Sequence, residues 1–215
     1  MKKLVLALLL SVILAGGAFA QVSAGVGANY SIYNQKNTYR TGDHTITEVS
    51  MDPWDGGAFN VFFDATYITA KAGMFFSYYD YSIGTTIKGT STNTYLSFGL
   101  LLKYPIDLGG FSVFPMLGVE YNMFLNYKDK RKNGSTTTTT IYERSDMDPT
   151  SDIDMLIGQV GLGGDFNLTD KIYLRPSIIW GIDFAKSNSD KTIIDAGGKV
   201  FKHKLDLGVA IGFKF

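Results

Sequence analysis

Lys204-Leu205-Asp206-Leu207-Gly208-Val209-Ala210-Ile211-Gly212-Phe213-Lys214-Phe215 sets Leu205, Leu207, Val209, Ile211, Phe213 and Phe215 at every second position, with small or charged residues between them. Successive side chains of a strand point to opposite faces, so this alternation predicts a β-strand with one apolar face and one small or polar face. Residues 22–33 repeat the pattern: Val22, Ala24, Val26, Ala28, Tyr30 and Ile32 alternate with Ser23, Gly25, Gly27, Asn29 and Ser31. Residues 172–185 do so again, Ile172, Leu174, Pro176, Ile178, Trp180, Ile182 and Phe184 opposing Tyr173, Arg175, Ser177, Gly181 and Asp183.

Five more segments, 58–68, 71–81, 94–104, 111–127 and 154–168, carry apolar sets at the same period and bring the expected strands to eight. The connections alternate in length. Those at 69–70, 105–110 and 169–171 are short, whereas 34–56, 82–93, 128–153 and 186–202 are long. Short turns on one rim and long loops on the other describe an antiparallel up-and-down barrel. The five-threonine run at 136–140, preceded by Asn133-Gly134-Ser135, reads as a solvated loop tip.

The polar face decides which way round the barrel is built. It holds Gly, Ser, Asn and isolated charges, which suit a lumen that eight strands leave just wide enough for side chains to fill. The apolar face carries Leu, Ile, Val and Phe without charges. Facing lipid it needs no polar partner, and closure satisfies every backbone donor and acceptor. The fold class expected is therefore all-β, an eight-stranded antiparallel up-and-down transmembrane β-barrel. Tyr30, Tyr33, Tyr78, Tyr79, Tyr81, Tyr104, Tyr127, Tyr142 and Tyr173 fall where strands meet loops, as interfacial girdles do.

Composition narrows the chemistry. The 215 residues include no Cys and two His, with 20 basic residues against 20 acidic ones. Without thiols there is no disulfide scaffold, thiolate metal site or cysteine nucleophile. A balanced charge leaves no basic footprint for nucleic acid, and no cofactor or metal is expected. At the N-terminus Lys2 and Lys3 precede an apolar stretch over 4–14 and small residues ending Ala18-Phe19-Ala20, the pattern of a secretory signal peptide cleaved after Ala20. Its removal takes away two Lys and no acid, leaving residues 21–215 with 18 basic residues against 20 acidic ones and a net charge of −2.

This leader, the eight alternating strands and the terminal Lys214-Phe215 resemble the small outer-membrane barrels of diderm bacteria, the group of OmpX, the OmpA transmembrane domain and OmpW. The resemblance implies export to the outer membrane, contact with lipopolysaccharide or an equivalent lipid, and a monomer. It also implies recognition of the closing strand, Phe215 with Phe213 and Ile211, by the barrel-assembly machinery. The function expected is non-enzymatic, a structural or surface-interaction barrel whose lumen is filled and whose loops meet an extracellular ligand. The alternative is a narrow OmpW-like passage for small hydrophobic solutes, with inward Phe62, Phe75, Tyr95, Phe114 and Phe124 as lining.

Asp64, Glu120, Asp165, Arg175, Asp183, Lys204 and Asp206 are the inward charges expected to form a structural network, with Lys103 and Lys214 also facing inward. Charges in a membrane barrel are costly unless paired or wet. Asp165 and Arg175 are equidistant from Asp170 in a tight turn and should oppose one another. Glu120, Asp183, Lys204 and Asp206 should form a second group nearer the loops. A lipid-modifying enzyme would need a histidine base, for which only Asp43-His44 and His203 offer material, and no catalytic residue is assigned. Asp146, Asp148, Asp152 and Asp154 read as a solvated acidic loop rather than a calcium site, because the spacing lacks the turn Gly and closing Glu.

Overall fold

The computed structural model describes residues 22–41, 45–50, 53–83, 87–133, 135–146 and 154–215. The expected signal peptide, the Asp43-His44 pair, Asp148 and Asp152 lie outside the described residues. Eleven strands are present among the described residues: β1 (Val22–Thr41), β2 (Thr45–Ser50), β3 (Trp54–Ala65), β4 (Ile68–Ile83), β5 (Ile87–Lys103) and β6 (Ile106–Asp107). The others are β7 (Phe111–Asn133), β8 (Thr136–Glu143), β9 (Met155–Asn167), β10 (Ile172–Asp183) and β11 (Lys199–Lys214).

Eight of them close into a ring in the order β1-β3-β4-β5-β7-β9-β10-β11, every pairing antiparallel. The seam is β1 against β11, continuous from Ser23 opposite Lys214 to Thr38 opposite Lys199. The remaining three are additions, β2 on β1 and both β6 and β8 on β7. The barrel is therefore the eight-stranded antiparallel one that the alternation describes.

Burial is inverted relative to a water-soluble domain. Phe59 is 69% exposed and Leu117 62%, whereas Glu120, Lys204 and Asp206 are each 2% exposed. Val26, Val61, Phe98, Val160, Leu162, Ile178, Leu207 and Val209 extend the same apolar exterior. A patch of this extent is far larger than soluble monomers expose. No described helix is long and apolar enough to cross a membrane.

Several boundaries differ from the sequence reading. The first tight turn is Thr66-Tyr67, not 69–70: Ala65 opposes Ile68 and Asp64 opposes Thr69. The β-branched Ile68 and Thr69 suit a strand, and Thr66 takes the turn at φ 21°. On the opposite rim the long loops are largely extended. β4 runs on to Ile83 and β5 starts at Ile87, while β7 continues to Asn133 and turns back as β8. The threonine run is thus solvated but is a strand, each residue of β8 being exposed. In 186–202, the helix α1 (Asn188–Asp195) precedes β11. Its capping box has the Asp190 amide donating to Ser187 Oγ and the Ser187 amide to Asp190 Oδ2.

Candidate functional site

The site is the lumen, filled from the short-turn end upward in three layers. In the lowest, the Asp64 carboxylate of β3 accepts from Lys103 Nζ at 2.5 Å, Arg175 Nη2 at 2.8 Å and the Thr69 hydroxyl. Arg175 also grips Asp165 through Nε at 2.6 Å and Nη2 at 2.8 Å. The planar guanidinium suits this, since its donors form a rigid fork. Phe62, Phe114 and Tyr173 surround it with ring centroids 5.0–5.1 Å away. Two acids meet two bases, so the layer is electrically neutral.

The middle layer centres on Glu120 of β7. Lys71 Nζ donates to it at 2.5 Å, Lys204 Nζ at 2.7 Å, Asn122 Nδ2 at 3.0 Å and Gln159 Nε2 at 3.1 Å. Lys204 lies 3.2 Å from Asp206, which accepts from the Ser31 hydroxyl at 2.5 Å. Again two carboxylates face two ammonium groups. Such a layer satisfies charges that would otherwise be prohibitive in a membrane interior.

Nearest the long loops, Tyr33, Ala58, Phe75, Tyr95, Phe124, Met155 and Ile157 form one buried cluster, with Trp54 and Tyr127 packed against it. Phe75 and Tyr95 have centroids 5.6 Å apart, and Phe124 meets Tyr95 edge-on at 5.7 Å. The remaining strands join through Asp183 of β10, which accepts from Tyr33 Oη at 2.7 Å, and Lys204 of β11, whose Nζ lies 4.4 Å over the Phe75 ring. Six ring strands supply this cluster, Asp183 of β10 is hydrogen-bonded to it and Lys204 of the middle layer underlies it.

The lumen glycines are seats for this filling. A Cβ on Gly25 would stand 2.5 Å from Phe62, one on Gly56 2.7 Å from Phe75, one on Gly163 2.5 Å from Phe114 and one on Gly212 2.2 Å from Tyr173. Each large ring lies across a glycine of a neighbouring strand.

Cavities lie beneath the upper layer. A polar vestibule of about 290 Å³ at the short-turn mouth is bordered by Asp64, Lys103, Asp107, Asp165, Tyr173 and Lys214. One of about 50 Å³ separates the charged layers beside Lys71 and Arg175, and one of about 10 Å³ touches Glu120, Lys71 and Lys204. The smallest has room for about one water molecule.

The structure thus brings Asp64, Asp165 and Arg175 together, and Glu120, Lys204 and Asp206 together. Asp183 does not join the second group. It lies a layer higher, where Tyr33 and the Leu156 and Ala185 amides satisfy it. Lys71 is the member that sequence reasoning misses, because a turn at 69–70 makes it the first residue of its strand. With the turn at Thr66-Tyr67, alternation from Thr69 sends Lys71 inward. Asn122 and Gln159 are legible only as polar residues on an inward parity. Phe62, Phe75, Tyr95, Phe114 and Phe124 are inward, but all are buried and fill the lumen.

No protein-family model matches the chain, and no curated protein matches it significantly. Solved structures do. Ail, the attachment invasion locus protein of Yersinia pestis, is 11% identical at a TM-score of 0.40, covering 91% of this chain and 99% of its own. Neisserial surface protein A is 13% identical with a TM-score of 0.43, covering 90% and 99%. A major outer membrane protein of Thermus thermophilus is 14% identical with a TM-score of 0.43, covering 86% and 99%. The neighbours are outer-membrane β-barrels.

On the outside of the barrel, Ile211, Phe213 and Phe215 are exposed, the rings of Phe213 and Phe215 meeting edge-on at 5.5 Å. His203 lies between Phe201 and Trp180, with ring centroids 5.4 and 6.4 Å away. Of the acidic stretch, Asp154 is engaged by Arg144 at 2.6 and 3.1 Å and by the Phe124 amide at 2.9 Å. Asp146 accepts from the Glu143 amide. Above the barrel, burial pushes the Asp190 carboxyl up, but hydrogen bonds from Lys202 and Ser187 outweigh it and hold it below the usual carboxylate range.

Proposed function

We propose that this chain is a non-enzymatic outer-membrane barrel, a closed structural mount that holds strands and loops at the surface of a diderm envelope. The observation carrying this reading is the filled lumen, with two neutral charged layers beneath a buried layer drawn from six of the eight ring strands. A passage for hydrophobic solutes would need an apolar bore, and here the inward aromatics are packed against one another. Export through a leader ending at Ala20, residues 21–215 as the barrel, and recognition of Phe215, Phe213 and Ile211 by the assembly machinery complete the reading. Outer-membrane lipid and a surface ligand met by the long-loop end are its partners, and it acts as a monomer.

Planar-bilayer recording on the refolded barrel tests it. A silent bilayer, from protein that migrates faster on a gel unheated than heated, is the expected result. Steady selective conductance would remove the closed-mount reading and restore the channel.

A further inference from the structure

Beyond the apolar belt, β4, β5, β7 and β8 continue side by side, and their register defines cross-strand rows. Tyr78, Thr92, Lys128 and Ile141 form one row, Asp80, Thr90, Lys130 and Thr139 the next, and Ser82, Lys88, Lys132 and Thr137 the third. Asp129 is buried on the inner face, where Tyr81 donates to it at 2.7 Å and Arg131 at 2.6 Å. Alternation therefore sends Lys128, Lys130 and Lys132 outward. That outer face carries exposed Met74, Phe98 and Tyr121 lower down.

Lys88 stands directly opposite Lys132. Like charges in directly opposed positions repel, yet among the described residues none of Lys88, Lys128, Lys130 and Lys132 forms an ion pair. The nearby acids are otherwise placed: Asp129 is held by Arg131 on the other face, Asp80 accepts from Thr90 at 2.7 Å, and Glu143 lies one row nearer the membrane opposite Asn126. The outer face thus carries four lysines against two acids, Asp80 and Glu143, and the excess positive charge has its compensating anion outside the sheet.

Its position says where that anion comes from. We propose that Lys88, Lys128, Lys130 and Lys132 seat the phosphate-bearing headgroups of lipids around the long-loop end of the barrel. This rests on the reading of the chain as a membrane barrel. Two residues along a strand advance about 7 Å, so Lys128 is level with exposed Tyr78, and Lys132 stands about 14 Å beyond it. Lysine stems also bend toward the interface while keeping the ammonium wet. A stripe meant for a soluble polymer would gain by facing up over the mouth, whereas this one faces sideways, in line with the lipid-contacting surface. Exposed Thr137 and Thr139 beside the lysines supply hydroxyl donors to phosphate oxygens.

The refolded full chain in phosphatidylcholine vesicles, doped with a spin-labelled lipid, tests this. Labelled phosphatidic acid should be enriched over labelled phosphatidylcholine at the protein by at least about fivefold, the ratio one lysine near an anionic surface supports. The preference should shrink in high salt and vanish when all four lysines are changed to Gln, with the unheated gel mobility unchanged. Equal selectivity in parent and variant overturns the proposal. So does lysine-dependent binding of a soluble sulfated sugar without any lipid preference, which would assign the stripe to a polymer in solution. Failure of the barrel to insert would instead count against the membrane reading itself.

Discussion

Lys71 and Glu120 stand in one cross-strand row with only Gly99 between them, and their side chains meet at 2.5 Å across the place where that residue has none. A Cβ on Gly99 would lie 2.3 Å from Lys71 Cε. The lysine stem crosses the intervening strand through that gap. Gly99→Val should therefore break the pair as well as crowd the lumen, costing about 3 kcal/mol. Urea unfolding in lipid vesicles measures it, and the cost should fall in a Lys71→Met background. Equal cost in both backgrounds would show that crowding alone is at work.

Removing the hub of the middle layer is worse than removing the layer. Glu120→Ala leaves the Lys71 and Lys204 ammonium groups facing one another without their shared carboxylate, a loss of about 3–5 kcal/mol. Replacing the four together, Lys71→Met, Glu120→Gln, Lys204→Met and Asp206→Asn, should recover most of it. If the fourfold variant unfolds as readily as Glu120→Ala, the charged layer is more than self-compensation.

Arg175 holds two carboxylates at once through one planar group. An ammonium cannot reproduce that fork, so Arg175→Lys should lower stability by about 2 kcal/mol. The temperature at which the fast-migrating gel band disappears should drop accordingly. An unchanged temperature would mean that Lys103 alone satisfies Asp64.

The upper layer, rather than the charged ones, should be what blocks ions. Water-sized spaces lie beside Lys71 and Glu120, and the buried aromatics pack above them. Phe75→Ala combined with Tyr95→Ala should give conductance steps in a planar bilayer where the parent is silent. Glu120→Gln should give none. A silent double variant with folded mobility would place the barrier elsewhere.

Acid should loosen α1 before the barrel. The Asp190 carboxyl is held below its ordinary value by Lys202 and Ser187 in spite of burial. A group depressed in the folded state contributes fully above its unfolded value, about 3.9 for Asp, and that contribution is lost as pH falls through the folded value. Hydrogen exchange of the α1 amides should accelerate in that acid window while exchange of the ring strands does not. Asp190→Asn should remove the pH dependence.

The alternation is enough to read the ring because one face meets lipid and the other a packed lumen, so Leu205, Leu207 and Val209 contrast with Lys204, Asp206 and Gly208. Where both faces meet water the contrast disappears. That is why residues 82–93 read as a loop although β4 and β5 pair there to Ile83 and Ile87, and why the threonine run reads as a loop tip. In the lumen, parity identifies inward residues but not which of them meet. Asp183 shares its inward parity with the partners of Glu120 yet lies a layer above them, a matter of strand stagger that one sequence does not carry. Lys71 escapes for a local reason, a turn shifted by three residues.

Because β1 pairs along its length with β11, the first and last strands described are neighbours, Ser23 facing Lys214 and the Phe215 amide donating to Val22 O at 3.0 Å. The ring has no stable partial form in lipid: until β11 arrives, both seam edges present unpaired amides and carbonyls to hydrocarbon. Folding and membrane entry must then be a single event triggered by the final segment, and a chain interrupted anywhere before Lys199 should remain outside the bilayer altogether.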